Sequence, residues 1–493
     1  MSNYLDLSIK EIHSALLKGE TTPLELTKEA IKRAKANKDN AFECLCEEKA
    51  LLKAEELSKV KVPEDKILFG IPYVAKDNFS TKGIETTGGS DILKGYIPLF
   101  NATVINLLEE NGAILIGKAT LDELAMGGTG TTCHKGITFN PYDKTHTRLI
   151  GGSSCGSAVV VSDAIVPFAL GSDTGDSVRK PASNAGLVGY KPTWGQISRF
   201  GLFPFAPSLD HVAYFTRSVE DAALMFNVLS KHDENDSTSS FKTRLDDYSK
   251  LDGNLKGKKF VVLKEVYDSI TDKVIKDKFD LLLNKIKEGG STVDFVEFGK
   301  KLLMAIYPSY IVISSAEATS NNANLDGIKF GPFYKGNTYQ DVMMQARTKG
   351  FSPLIKRRFV IGSYSLMSEN QEEVFKRAQK VRHLIVDRAK ELYKKYDSII
   401  CPASPSIAPL VKGASNQLND TYLIADNWLA IGNFGGFPSI TIPLGFEDDM
   451  PFGVNITSDA FKDFEVFNEA FAMENILGYR DLSVLNFKDK EGK

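Results

Sequence analysis

The amino-acid sequence reads as an α/β protein built on one large sheet. Amphipathic helical stretches alternate with short apolar runs fit for buried strands. Glycine recurs where one gives way to the next, and no internal repeat divides the chain. Its 493 residues allow two to four domains, or one large α/β domain with insertions. The 42% hydrophobic and 25% charged content is ordinary for a globular enzyme.

Residues 1–60 read as helical. Leu7, Ile9, Ile12, Leu16 and Leu17 fall mostly at helical spacing, and Thr22 with Pro23 opens a second helix, proline being tolerated in a first turn. Residues 102–110 are amphipathic, Gly112 stops them, and 113–116 follow as a strand. The same grammar predicts strands at 259–263 and 292–296 around a helix at 276–286 that ends on Gly289-Gly290. The longest predicted helix, 371–396, sets Val374, Ala378, Val381, Leu384, Ile385 and Leu392 on one face. Strands at 398–401, stopped by Pro402, and at 439–444 complete the pattern. The polar stretch 231–255 reads as a surface connection. The expected organisation is therefore a helical segment, 1–65, packed on a core formed by 66–230, then the connection, then 256–493 as the rest of the same domain.

Lys and Arg number 60 against 63 Asp and Glu, a net charge of −3. A free-standing nucleic-acid binder would show a basic excess, which is absent here, and RNA contact through a partner stays open. The five cysteines, Cys44, Cys46, Cys133, Cys155 and Cys401, are odd in number and irregularly spaced, which argues for free thiols and against a disulfide framework. Cys44 and Cys46 lack the second pair a metal site would want, so no metal is expected. The N-terminus has neither a basic region followed by an apolar run nor an arginine-rich character, and no stretch reads as the roughly 20 apolar residues of a membrane span. A soluble, cytoplasmic protein with no membrane contact is the expectation.

The chemistry concentrates in residues 147–181. Two Gly/Ser clusters, 151–157 and 171–177, flank the apolar run 159–170, which a flexible linker would not enclose. Neither a phosphate loop, G-x-x-x-x-G-K-[ST], nor a G-x-S-x-G nucleophile elbow is present. What remains is a pair of tight loops bringing hydroxyls and backbone N–H groups together, an arrangement suited to an oxyanion. A serine nucleophile needs a base. None of the six histidines, His13, His134, His146, His211, His232 and His383, sits in a recurrent motif. Lysine is the alternative base, and Lys76 ends the apolar run in Phe69-Gly70-Ile71-Pro72-Tyr73-Val74-Ala75-Lys76-Asp77-Asn78. By itself, a lysine after a strand is more often a solvated surface residue.

Taken together, GIPYVAKDN, TKGIETTGGS, GGSSCGSA, PFALGSDTGDSVRKPAS, GLVGYKPTWGQISRFGLFPFAPSLD and FTRSVEDAA, in that order, resemble the amidase-signature family over nearly the whole chain. The resemblance implies one large mixed sheet covered by helices on both faces. It also implies a Ser–Ser–Lys triad of Ser177 as nucleophile, Ser153 as relay, held by a cis peptide, and Lys76 as base. Such a base must be neutral. From a pKa near 10.4 that costs about 4.6 kcal/mol at pH 7, a shift of the size burial can supply. The N–H groups of Thr174, Gly175, Asp176 and Ser177 would form the oxyanion hole.

Residues 310–331, 349–358 and 419–443 further resemble the glutamine-hydrolysing subunits of tRNA-dependent amidotransferases within that family. Free glutamine carries a carboxylate and an ammonium, which arginine and aspartate suit. The resemblance gives these roles to Arg358 (or its neighbour Arg357) and Asp426, with Tyr310 lining the pocket. It implies a B subunit holding ATP, Mg²⁺ and the charged tRNA, Glu-tRNA(Gln) or Asp-tRNA(Asn), and a small C subunit. No cofactor would lie in this chain. Alternatives are a stand-alone amidase on another small amide and a weakly active scaffold paralogue.

Three positions depart from the usual pattern. Asp176 stands where glycine is usual, Cys155 where glycine or serine is usual, and Gly128-Thr129-Gly130-Thr131-Thr132 replaces a serine-rich run. The Asp176 carboxylate would either favour a charged Lys76 or point away, leaving only its N–H in use. Cys155 is expected to pack as a small apolar residue.

Overall fold

A computed structural model describes residues 3–242, 250–412 and 421–491. Residues 243–249 of the predicted polar connection and Asn419 therefore lie outside the described residues.

Eleven strands form one mixed sheet. In chain order they are β1 (Phe42–Leu45), β2 (Pro72–Lys76), β3 (Ile114–Ala119), β4 (Ala169–Asp173), β5 (Val188–Lys191), β6 (His211–Thr216), β7 (Lys259–Leu263), β8 (Thr292–Val296), β9 (Ser398–Pro402), β10 (Ser439–Glu447) and β11 (Met450–Ser458). Across the sheet they run β1-β3-β2-β4-β6-β5-β10-β11-β9-β7-β8. The strands predicted at 259–263 and 292–296 fall at those bounds, and the other three differ by one to three residues at an end. Antiparallel pairing of β5 with β10, Ser439 opposite Lys191, joins the first half of the chain to the second in one continuous sheet.

The two N-terminal helices, Ile9–Lys18 and Pro23–Ala36, both begin with capping boxes, Ser8 with Glu11 and Thr22 with Glu25. Their buried faces, Ile9, Ile12 and Leu16 on one and Leu26, Ala30 and Ile31 on the other, join the main core. This segment is not wholly helical as expected. β1 leaves it to pair antiparallel with β3 at the sheet edge, and four residues are too few to show a strand period. The apolar run 159–170 also divides. Its first part ends the helix Cys155–Ser162, whose residues are all buried, and its last part enters β4.

The predicted 371–396 helix begins as a π-helical turn, Gln371–Lys376, and continues as Arg377–Tyr393. Ala378, Ile385 and Leu392 are buried as expected, but Leu384 is exposed. The helix Lys300–Asn321 corrects a second expectation. Extended to Asn324, it is long and apolar enough to cross a membrane by length and composition, and 44% of its most apolar 18-residue stretch is buried. It packs against the helices Pro353–Leu366 and Arg377–Tyr393, and its buried residues include Ser309, Ser314 and Ser315, the pattern of a core helix.

Candidate active site

The parallel neighbours β2 and β4 bring the chemistry together. Val74 lies opposite Ala169 and Ala75 opposite Leu170, so both strands deliver their carboxyl ends to one place. Lys76 ends β2 and is fully buried. Its Nζ donates to Ser153 Oγ at 2.8 Å, Ser172 Oγ at 2.9 Å and Ser154 Oγ at 3.0 Å. Ser154 and Ser172, which sequence reasoning left without a role, complete this hydroxyl cage. Ser172 Oγ also receives Asn78 Nδ2 at 3.0 Å. Burial pushes the Lys76 ammonium down to about 7 against the opposing pull of Cys155, Asp122, Asp173 and Asp210. Half of it is then neutral near pH 7. Asp176 is not among the groups that pull hardest on Lys76.

The peptide Gly152–Ser153 is cis, as the resemblance implied. Its surroundings are set by Asp122, which sequence reasoning missed. Asp122 Oδ2 accepts from the N–H groups of Thr129 and Gly130, and Oδ1 from those of Thr131 and Thr132 and from Thr132 Oγ1, all at 2.8–3.0 Å. The loop so gathered is the departing segment 128–132. Its Gly128 carbonyl accepts from Gly152 N–H at 3.0 Å, while Asp122 N–H donates to the Ser153 carbonyl at 3.1 Å. A Cβ on Gly152 would sit 2.0 Å from Asp122 Oδ2, so only glycine fits there. An acid a few residues before a Gly/Thr loop was the available signal, but which N–H groups turn inward is not written in residue types.

Ser177 follows β4 and is 4% exposed. Among the described residues its hydroxyl makes no hydrogen bond, nor do the backbone N–H groups of Thr174, Gly175, Asp176 and Ser177. The loop is fixed from outside. Thr174 Oγ1 donates to Asp210 at 2.7 Å, and Arg179 Nη2 donates to the Gly175 carbonyl at 2.7 Å. Arg179 in turn forms a fully buried pair with Asp173, 2.9 Å from Nη2 and 3.1 Å from Nε, and reaches Asn433 Oδ1 at 2.6 Å. Burial works against the Asp173 charge, yet Arg179 and Asn433 hold its carboxyl well below the usual range. Cys155 is fully buried and burial pushes its thiol up to about 11, consistent with the expected apolar packing.

The residues expected to line a donor pocket gather around this loop. The Tyr310 ring lies over Gly175, whose Cβ, if present, would be 3.1 Å from it. Arg358 stands 5.9 Å from the centre of that ring and 5.6 Å from that of Phe205, donating to the Met126 carbonyl at 3.0 Å and to Ser314 Oγ at 3.3 Å. Arg357 is exposed, so Arg358 is the arginine of the pair that faces the site. Asp426 is partly exposed, and its Oδ1 is engaged by the ammonium of Lys180. Sequence reasoning did not anticipate Lys180 there. Asp176 is partly buried; burial raises its carboxyl to about 6, Lys180 draws it back, and Asp173 and Asp426 oppose that.

One group of metal-ligating side chains occurs among the described residues, Glu43, Cys133 and His134. It is already knit by hydrogen bonds: His134 Nε2 lies 2.7 Å from Glu43 and Nδ1 2.9 Å from Asp91. All five cysteines are free.

A large mixed sheet carrying a buried lysine, a cage of serine hydroxyls and an open run of backbone N–H groups defines an amidohydrolase scaffold. The chain belongs to the amidase family, whose model matches residues 25–467. It is 39% identical over 474 residues to the glutamyl-tRNA(Gln) amidotransferase A subunit of Thermoanaerobacter pseudethanolicus, covering 95% of this chain and 96% of that one. It is 37% identical to the protein of the same name from Pediococcus pentosaceus, covering 96% of each. Among solved structures it is similar to the glutamyl-tRNA(Gln) amidotransferase A subunit of Thermotoga maritima, with a TM-score of 0.78 and 34% identity over 96% of each chain.

Proposed function

We propose that this chain is the glutamine-hydrolysing subunit of a tRNA-dependent amidotransferase, working through a Ser177 acyl-enzyme. The observation that carries this reading is the buried Lys76, drawn toward neutrality, with its Nζ 2.8 Å from Ser153 Oγ at the edge of the Ser177 loop. Ser177 Oγ attacks the side-chain amide carbon of glutamine. Its proton passes through Ser153 to Lys76, and the oxyanion is received by the N–H groups of Thr174, Gly175, Asp176 and Ser177. Collapse breaks the C–N bond, with the proton returning through Ser153 so that ammonia leaves. Water then attacks the ester by the same route, giving glutamate and free Ser177.

Arg358 pairs the donor carboxylate, Asp426 the ammonium, and Tyr310 closes the pocket. The ammonia serves a partner B subunit that holds ATP, Mg²⁺ and the charged tRNA, with a small C subunit completing a cytoplasmic assembly. This chain needs no cofactor of its own. The names of the relatives and the near-neutral charge support that division of labour.

The test is ammonia release from glutamine by the purified chain, alone and with partner subunits and charged tRNA. Release is expected, and it should vanish in Ser177→Ala. No Ser177-dependent release under any of these conditions would overturn the proposal. Arg358→Ala should lower kcat/KM for glutamine by at least about tenfold, the loss of a charge-assisted pair, with a much smaller effect on uncharged amides. Equal losses on both would instead favour a stand-alone amidase.

A further inference from the structure

Lys180 stands in the first turn of the helix Arg179–Ala185, three residues after the nucleophile. Its ammonium engages Asp426 Oδ1, and its own N–H donates to the Asp176 carbonyl at 2.9 Å. Its side chain is 16% exposed and that of Asp426 20%, so the pair is largely shielded from solvent. A lysine here is puzzling for a pocket that receives an ammonium, because it cancels the charge of the receiving carboxylate. Asp176 resolves this. Burial works against the charge of Lys180, but Asp426 and Asp176 together hold its ammonium above the ordinary range. The three groups, two acids around one base, carry a net charge of −1. Lys180 with Asp426 alone would carry zero and offer an incoming ammonium no net attraction.

We propose that Asp176 and Lys180 are a coupled pair of positioning residues for the donor. Lys180 fixes Asp426 by one oxygen so that the other meets the donor ammonium, and Asp176 restores the negative charge that Lys180 removes. The proposal rests on the assignment of Asp426 given above. It also accounts for an aspartate directly before the nucleophile: its charge is balanced against Lys180.

The test is a double-mutant cycle read on two donors, glutamine and glutaramate, which is glutamine without its α-amino group. Asp176→Asn should raise KM for glutamine about tenfold, the size of a partly screened charge at such range, and act less on kcat. The effect on glutaramate should be at least threefold smaller. The double variant Asp176→Asn with Lys180→Met returns the net charge to −1 and should bring KM for glutamine back to within about threefold of the parent. Should Asp176→Asn fail to fold, Lys180→Met carries the test: its change in KM should fall on glutamine at least threefold more than on glutaramate, and equal changes on both would overturn the proposal. Equal effects on both donors, or a double variant no better than the single ones, would overturn the proposal while leaving glutamine hydrolysis intact. Absence of Ser177-dependent glutamine hydrolysis in the parent would overturn both.

Discussion

Lys76→Met should lower kcat for ammonia release by about 10²–10⁴-fold, the span general-base catalysis supplies, and adding Ser177→Ala should remove little more. The two residues belong to one unit, so their losses do not add. Methionine keeps the length and apolar bulk of the buried stem while removing the nitrogen that reaches Ser153, Ser154 and Ser172. Lys76→Arg should be equally inactive, because a guanidinium stays charged at any working pH. In the parent, kcat/KM should rise with pH and level off, with a midpoint at about 7. The sign follows from the role: the base works only when deprotonated, and its neutral fraction grows as pH rises. A pH profile of single-turnover acylation checks this, and a flat profile across about 1.5 units either side of that midpoint would remove Lys76 as the base.

Arg179→Met should destabilise the fold by about 3–5 kcal/mol, the usual cost of leaving one member of a buried ion pair without its partner. Asp173 and Arg179 are both fully buried, and the guanidinium also supports Asn433, Ser439 and the carbonyls of Gly175 and Leu429. Urea unfolding measures the loss. Asp173→Asn in the same chain should recover part of it, since the stranded charge is then gone. The acid side carries a related expectation. The Asp173 carboxyl is depressed in the folded state, so its contribution to stability is complete above the unfolded carboxylate range and is lost as pH falls from there through the lowered folded value. The steepness of acid unfolding should therefore decline in the double variant.

The strand and helix alternation was legible because β7 is a short apolar run and β8 an alternating apolar and polar one, each preceded by glycine. β1 was hidden because four residues at a sheet edge carry no usable period. Lys76, Ser153 and Ser177 were legible as residue types in an ordered set of motifs, and the structure seats Lys76 on Ser153. Asp122, Arg179 and Lys180 were not. Each acts through which carbonyl, N–H or carboxylate it meets, and those partners lie on other segments: Ser153, Leu429, Asp426. Asp176 allowed two readings from sequence, a carboxylate that keeps Lys76 charged or one that points away with only its N–H in use. In the folded chain burial raises its carboxyl, and Lys180 is the cation that draws it back most.

The seam between β5 and β10 has a consequence for how such a chain is inherited. The reacting groups come from residues before it, while Tyr310, Arg358 and Asp426 come from residues after β5 in the chain. A graft of the later part from a relative could change which amide is read without disturbing the acylation chemistry. Lys180 and Arg179 are the exceptions, early residues whose partners Asp426, Leu429, Asn433 and Ser439 are late. A chimaera joined between the two halves would have to inherit Lys180, Asp176 and Asp426 from one parent, and mismatched parents should yield a well-folded enzyme with a misread donor.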